Sequence, residues 1–366
     1  MYLILDVNSP LPNEALTSVE PWTSYHETYL NRTFAIVEAF KDYPNTLLFF
    51  AGNEVIDREE SAEFGPRYVR AVTRDLKNYI KRHSDRPIPV GYSAADVRDV
   101  LFDSWNYFSC SIDGEDDDES RADVFGLNSY SWCGDASFET SGFNDLVDGF
   151  KDSSVPIFFS EFGCNEAKTR PFSEIGTIYG DKMNDVFSGG MVYEYTMEEN
   201  NYGVVQLDGE GNAEILKDYD TLKTQYAKVD WEAVTGKKPG NTPKPPVCDE
   251  KLITTDTFDK NFTIPAMPAD DSEKILEDGV NPAPKGKIVD VTGDLVVKQK
   301  VTNTKGEVED GLKVLPVKEA NEIGTNDGVS VGEGEAGEAG DEEDAGAFLR
   351  PALLSLAVPA ALAVFL

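Results

Sequence analysis

Residues 47–54 read Leu47-Leu48-Phe49-Phe50-Ala51-Gly52-Asn53-Glu54, an unbroken apolar run that closes on a glycine, an amide and a carboxylate. A run this short and this apolar predicts a strand buried on both faces, as in a parallel sheet covered by helices. Further apolar runs at 2–7, 88–92, 124–128, 157–161 and 190–195 repeat the pattern, and helix-period segments lie between them. Across 60–83, Val69, Val72, Leu76 and Tyr79 fall on one helical stripe, with Pro66 near the first turn, where a missing N–H is tolerated. Phe172, Ile175, Tyr179 and Met183 form a second stripe, and Ile215, Tyr219, Leu222 and Tyr226 a third.

Strand–helix alternation of this kind means an α/β chain with a parallel sheet, either closed into a barrel or open and doubly wound. Six strands are read where a (β/α)8 barrel needs eight. The expected fold is therefore a (β/α)8 barrel lacking its first two βα units, followed by an irregular acidic C-terminal region. The first run starts at residue 2, so Met1 reads as an internal methionine. An open doubly wound sheet is the rival, weakened in its nucleotide-binding form because no Gly-rich phosphate loop follows any strand. Composition turns to Pro, Gly, Lys, Glu and Asp after Pro239. We divide the chain into a catalytic domain at 1–250, an accessory segment and acidic linker at 251–345, and a hydrophobic segment at 346–366.

With 33 Lys and Arg against 67 Asp and Glu, the chain carries a formal charge of −34, which would repel nucleic acid. The acidity concentrates at 113–119 and 333–344, read as a solvated loop and a solvated tail. A calcium loop at 113–119 is the sharper alternative, but the alternating ligand spacing is missing. Cys110, Cys133, Cys164 and Cys248 form no CxxC pair, and the histidines are only His26 and His83, so neither a zinc site nor any other metal or cofactor is expected. Four spread cysteines fit two disulfides in a secreted protein, with the pairing left open by spacing. The sequons Asn31-Arg32-Thr33 and Asn261-Phe262-Thr263 agree with secretion. The apolar run 351–366 follows a polar, acidic spacer, the order of a glycolipid-anchor signal; a weak tail-anchor helix is the alternative. The first reading places the protein at the cell surface, on the outer leaflet of the plasma membrane and in contact with the cell wall.

In parallel sheets, chemistry gathers at the C-terminal ends of the strands. Glu54 ends one run, and Glu161 ends another, Val155-Pro156-Ile157-Phe158-Phe159-Ser160-Glu161. Either glutamate alone could simply cap a loop. Two on one sheet point to catalysis, because a carboxylate placed directly after an apolar run is costly to desolvate. Paired carboxylates working without histidine, metal or cofactor suit glycosidic bond cleavage, in which one is protonated and the other ionised. Separations of about 5–5.5 Å give retention and about 6.5–9.5 Å inversion.

The strings Gly52-Asn53-Glu54-Val55, Val90-Gly91-Tyr92-Ser93-Ala94-Ala95-Asp96, Gly126-Leu127-Asn128-Ser129-Tyr130-Ser131-Trp132-Cys133-Gly134, Phe159-Ser160-Glu161-Phe162-Gly163-Cys164-Asn165 and Gly189-Gly190-Met191-Val192-Tyr193-Glu194-Tyr195 resemble fungal β-1,3-glucanosyltransferases of glycoside hydrolase family 72. The resemblance runs from Met1 to about Cys248, weakens to about Val291 and is absent from the acidic tail. It implies Glu54 as acid/base, Glu161 as nucleophile, and Asn53 as a partner of the donor sugar's 2-hydroxyl. It places Tyr130 near the nucleophile, Tyr193 and Tyr202 along the sugar, and Asp96 on the acceptor side, while Arg98 is displaced from an expected arginine. Glu194 reads as a structural partner. The resemblance also implies disulfides Cys133–Cys164 and Cys110–Cys248, and no cysteine-rich glycan-binding module. Its implied partners are a β-1,3-glucan donor and acceptor, and the membrane through a lipid anchor. Transfer is the implied outcome; a retaining β-glucanase and an inactive truncated wall protein are the alternatives. Two strands, a cysteine pair and another tyrosine are implied ahead of Met1, so this chain as written is expected to fold poorly and show little activity.

Overall fold

Six strands, β1 (Leu3–Asp6), β2 (Thr46–Asn53), β3 (Val90–Ala95), β4 (Phe125–Asn128), β5 (Ile157–Phe162) and β6 (Phe187–Val192), pair in sequence order, all parallel. The computed structural model describes residues 2–9, 11, 14–114, 117–238, 242–269, 271–286 and 296–313. Helices α1 (Glu27–Phe40), α2 (Glu59–Phe64), α3 (Pro66–His83), α4 (Arg98–Ser109), α5 (Phe143–Phe150) and α6 (Ile175–Ile178) fall between the strands. Beyond β6 come β7 (Val205–Leu207), β8 (Ala213–Ile215), α7 (Lys217–Tyr226), α8 (Trp231–Gly236), α9 (Ser272–Asp278) and β9 (Val301–Thr302).

The sheet is strongly curved. Neighbouring strands lie about 4.8 Å apart, so side chains three strands apart on a flat sheet would be separated by roughly 14 Å. Yet the rings of Phe50 on β2 and Phe158 on β5 stack with centroids 6.1 Å apart. Likewise Ser93 on β3 and Ser160 on β5 place their hydroxyl oxygens 2.8 Å apart across β4. Curling of this degree is that of a (β/α)8-type barrel, in which six of the eight strands are present, and it rules out the open doubly wound rival. Leu48, Phe50, Val124 and Phe158 fill the concave side, while a larger apolar core lies between the sheet and its helices.

Several elements differ from the sequence expectation. The helix expected over 60–83 is two, because Pro66 supplies no N–H and opens α3 at its first position. Its stripe of Val69, Val72, Leu76 and Tyr79 is nonetheless fully buried. The second stripe is not one helix: only α6 is helical, and Phe172 has a left-handed φ of 48°, although Phe172, Ile175 and Met183 all reach the core. In the third, Ile215 belongs to β8 and α7 begins after it. The 113–119 loop is not purely solvated either. Asp118 pairs with the fully buried Arg70 at 2.7 Å and also accepts from Ile112 N and Ser120, so its oxygens are occupied within the protein.

Part of the accessory segment lies against the barrel. The Cys110–Cys248 disulfide fixes its start, and Ile253 and Phe258, each 3% exposed, join the main core. Thr254 and Thr255 donate backbone N–H groups to the Asp103 carboxylate at 2.9 and 2.8 Å. Tyr107 Oη donates to the Asn261 carbonyl at 2.6 Å, and Val280 N donates to Tyr79 Oη at 3.0 Å. This segment therefore forms a strap across the helices. The acidic stretch 333–344 and the apolar run 351–366 lie outside the described residues.

Candidate active site

The C-terminal ends of β2 to β5 converge on one polar cluster. Glu54 directly follows β2 in a left-handed conformation, φ 51°, a backbone strain of about 1 kcal/mol or more that functional sites often retain. Its N–H donates to the Ser93 carbonyl at 2.8 Å, and Tyr92 Oη accepts from Ile56 N two residues later, which locks the turn. Glu161 lies in β5, in register with Asn128 of β4.

Asn128 joins these parts. Its Nδ2 donates to Glu54 Oε1 at 2.9 Å and to Asn53 Oδ1 at 3.0 Å. Its Oδ1 accepts from Ser93 and Ser160 hydroxyls at 3.1 and 2.7 Å. Gly126 makes room for this arrangement, since a β-carbon there would come within 2.7 Å of Ser160 Oγ. Asn53 is exposed, and its oxygen is engaged by Asn128, which leaves the amide N–H groups available as donors. The resemblance did not single out Asn128, Ser93 or Ser160, although Asn128 ends its apolar run as Glu161 ends another.

Glu161 accepts a short hydrogen bond from Tyr130 Oη. Burial pushes the Glu161 carboxyl up to about 7; Tyr130 opposes that rise, while the charges of Glu54 and Glu194 add to it. Burial and the adjacent Glu161 charge push the Tyr130 phenol well up, so it stays a donor. The rings of Tyr130, Tyr193 and Tyr202 meet edge-to-face, with centroids 5.2 to 6.2 Å apart. The backbone of Tyr193 and Tyr202 is held by Arg170, 1% exposed, which donates to the carbonyls of Gly163, Tyr193 and Tyr202 and pairs with Asp218 of α7 at 2.7 Å. The Cys133–Cys164 disulfide ties the loop carrying Tyr130 to the one after Glu161. Both disulfide pairings match those the resemblance implied.

Asp96, at the end of β3, is more occupied than the sequence suggested. Arg98 pairs with both of its oxygens, and Ser129 donates to one of them at 2.6 Å. Arg98 also donates to the Gly142 carbonyl at 3.1 Å, so this displaced arginine organises the β3 and β4 loops. Glu194 has one oxygen, Oε1, buried without a hydrogen-bond partner among the described residues; burial pushes its carboxyl up, opposed by hydrogen bonds with Asn200 and Tyr193. Asp6 ends β1 at the same rim. Burial pushes it up to about 6, and Asn8 donates to it from backbone and side chain.

A curled parallel (β/α) sheet with two glutamates at its C-terminal rim, one hydrogen-bonded to an amide and the other to a phenol, defines a carbohydrate-active enzyme of the paired-carboxylate class. The glucanosyltransferase family profile matches residues 1–230, and the chain belongs to that family, glycoside hydrolase family 72. It is 47% identical over 329 residues to the 1,3-beta-glucanosyltransferase gel2 of Aspergillus fumigatus, covering 89% of this chain and 68% of that one. It is 39% identical to the 1,3-beta-glucanosyltransferase GAS4 of Saccharomyces cerevisiae over 323 residues, covering 87% of this chain and 66% of the relative. Among solved structures, Saccharomyces cerevisiae Gas2p in complex with laminaritriose and laminaritetraose superposes with a TM-score of 0.62 at 35% identity. That match covers 75% of this chain and 60% of the Gas2p chain, so the chain spans about three fifths to two thirds of these relatives.

Proposed function

We propose that this chain carries the machinery of a retaining β-1,3-glucanosyltransferase that cleaves and rejoins β-1,3-glucan in cell-wall remodelling. The observation that carries this reading is the Asn128 bridge between Asn53 and Glu54, set beside a Glu161 held by Tyr130. In the first step Glu161 attacks the anomeric carbon while Glu54 gives its proton to the departing glycosidic oxygen. A glycosyl ester on Glu161 and a shortened glucan result. In the second step the hydroxyl of an acceptor glucan attacks the same carbon, Glu54 takes that hydroxyl's proton, and Glu161 leaves as a carboxylate. Asn53 donates to the donor sugar's 2-hydroxyl, a contact that strengthens as positive charge develops on the ring. Tyr193 and Tyr202 line the donor sugars, and Asp96 with Arg98 borders the acceptor side.

The solved relative bound to laminaritriose and laminaritetraose supports β-1,3-glucan as the substrate class. Incubating the chain with one laminari-oligosaccharide and resolving products by length tests the reading. Products both longer and shorter than the substrate are expected from a form extended upstream of Met1, and little conversion from the chain as written. Shorter products alone would convert the assignment to a retaining glucanase, and no conversion would leave an inactive wall protein. The acidic spacer and apolar run at 332–366 support attachment to the outer leaflet of the plasma membrane through a glycolipid, with the enzyme facing the wall. Release from cells by a phosphatidylinositol-specific phospholipase is the expected result.

Tyr130→Phe removes the hydrogen bond that opposes the upward shift of Glu161. Because Glu161 must be ionised to attack, the acidic limb of kcat/KM should move to higher pH, by about half to one unit. The pH profile of the two proteins checks this; an unmoved limb would mean that the phenol does not govern Glu161.

A further inference from the structure

Trp22 is 48% exposed, whereas the other three tryptophans are partly or fully buried. It sits in the loop that follows β1, within the turn Pro21–Thr23. That turn is well fixed: Pro21 is buried, Thr23 N donates to the Glu20 carbonyl at 2.9 Å, and Tyr25 N donates to the Pro21 carbonyl at 3.0 Å. The indole stands edge-to-face against Phe64, with centroids 5.5 Å apart and planes at 82°. Phe64 is the last residue of α2, in the loop that follows β2. The next residue, Gly65, packs so closely on Ile56 and Val55 that a β-carbon there would come within 2.6 Å of Ile56. Those two residues directly follow Glu54.

A large exposed aromatic, braced by a second ring, therefore belongs to the same rim of strand ends as the carboxylates and is coupled through Phe64 to the Glu54 turn. A β-linked glucose ring presents a face of axial C–H groups, and an indole offers the largest flat apolar surface among the side chains for such a face. We propose that Trp22, held by Phe64, is an outer sugar-binding platform that stacks on a glucose unit of a β-1,3-glucan chain beyond those held by the tyrosine cluster. The assignment rests on the proposed function, since it needs a polymer long enough to extend from the catalytic rim to this loop. It assigns chain-length preference to a residue that takes no part in bond cleavage.

The test measures binding of a laminari-oligosaccharide series by calorimetry in a Glu161→Gln background, which prevents turnover, with and without Trp22→Ala or Trp22→Phe. For the longest oligosaccharides Trp22→Ala should weaken binding about tenfold, while for the shortest that bind the change should stay within about twofold. Trp22→Phe, which keeps a flat ring, should recover most of the loss. If Trp22→Ala leaves all lengths unaffected, or weakens all equally, the platform is overturned while the proposed function stands. If the Glu161→Gln parent itself binds no member of the series, the proposed function fails and the platform with it.

Discussion

Glu161→Gln is expected to lower kcat on laminari-oligosaccharides by about a thousandfold or more while leaving their binding largely intact. The amide can still accept the Tyr130 hydrogen bond, but it cannot form the glycosyl ester. Glu54→Gln should differ in kind. It removes the proposed proton donor, so substrates with good leaving groups should keep a measurable first step, and azide should accelerate the second by replacing the activated acceptor. Kinetics on an aryl β-glucoside of laminaribiose separate the two. Recovery by the leaving group in Glu161→Gln rather than in Glu54→Gln would reverse the roles.

The same substitution makes a stability prediction of opposite sign. Glu161 is pushed from 4.5 to about 7 in the folded chain, chiefly by burial. A raised carboxyl contributes stability that is fully present below its unfolded value and is lost as pH rises through the folded value. At about 1.36 kcal/mol per pH unit the loss is at most roughly 3 kcal/mol above pH 7. Glu161→Gln should therefore melt above the wild type at pH 8, and the gap should close toward pH 4.5. Calorimetric Tm values across that range check the trend.

Asn128→Ala is expected to have the next largest effect, a fall in kcat/KM of about a hundredfold. Four hydrogen bonds end on this one amide, and their partners come from β2, β3 and β5. Truncation frees Asn53 and Glu54 to leave their aligned positions and leaves Ser93 and Ser160, 1% and 6% exposed, with only each other. An accompanying stability loss of about 1–3 kcal/mol follows from orphaned buried groups. A purely structural role would lower Tm and leave kcat/KM of the folded fraction within about threefold; a positioning role lowers kcat/KM of the folded fraction itself.

The strands and the two glutamates were legible because apolar runs broken by a carboxylate are rare enough to notice. Asn128 closes a run in the same way, but an amide does not titrate; Asp6 lies inside the run 2–7, ahead of Val7, so neither carries the same signal. Arg170 has no local signal at all. It sits among polar loop residues, and its importance arises only where three carbonyls meet in space. Arg98 seemed misplaced because spacing along the chain says little about a residue at the first position of a helix, which can turn back to the strand end. The strap was read as part of an accessory segment and linker because its composition is polar. A few apolar anchors suffice there, and backbone groups supply much of the rest of the docking.

The strap also imposes an order of events during synthesis. Cys133 and Cys164 are 31 residues apart and can meet soon after the second leaves the ribosome, whereas Cys110 must wait through 138 residues for Cys248. At typical elongation rates that interval is roughly 10–30 s. Throughout it, Asp103, Tyr107 and the outer side of α3 lack their cover, and Cys110 remains an unpaired thiol. Correct maturation thus depends on how well the nascent chain is protected from premature thiol exchange until its last docking segment arrives.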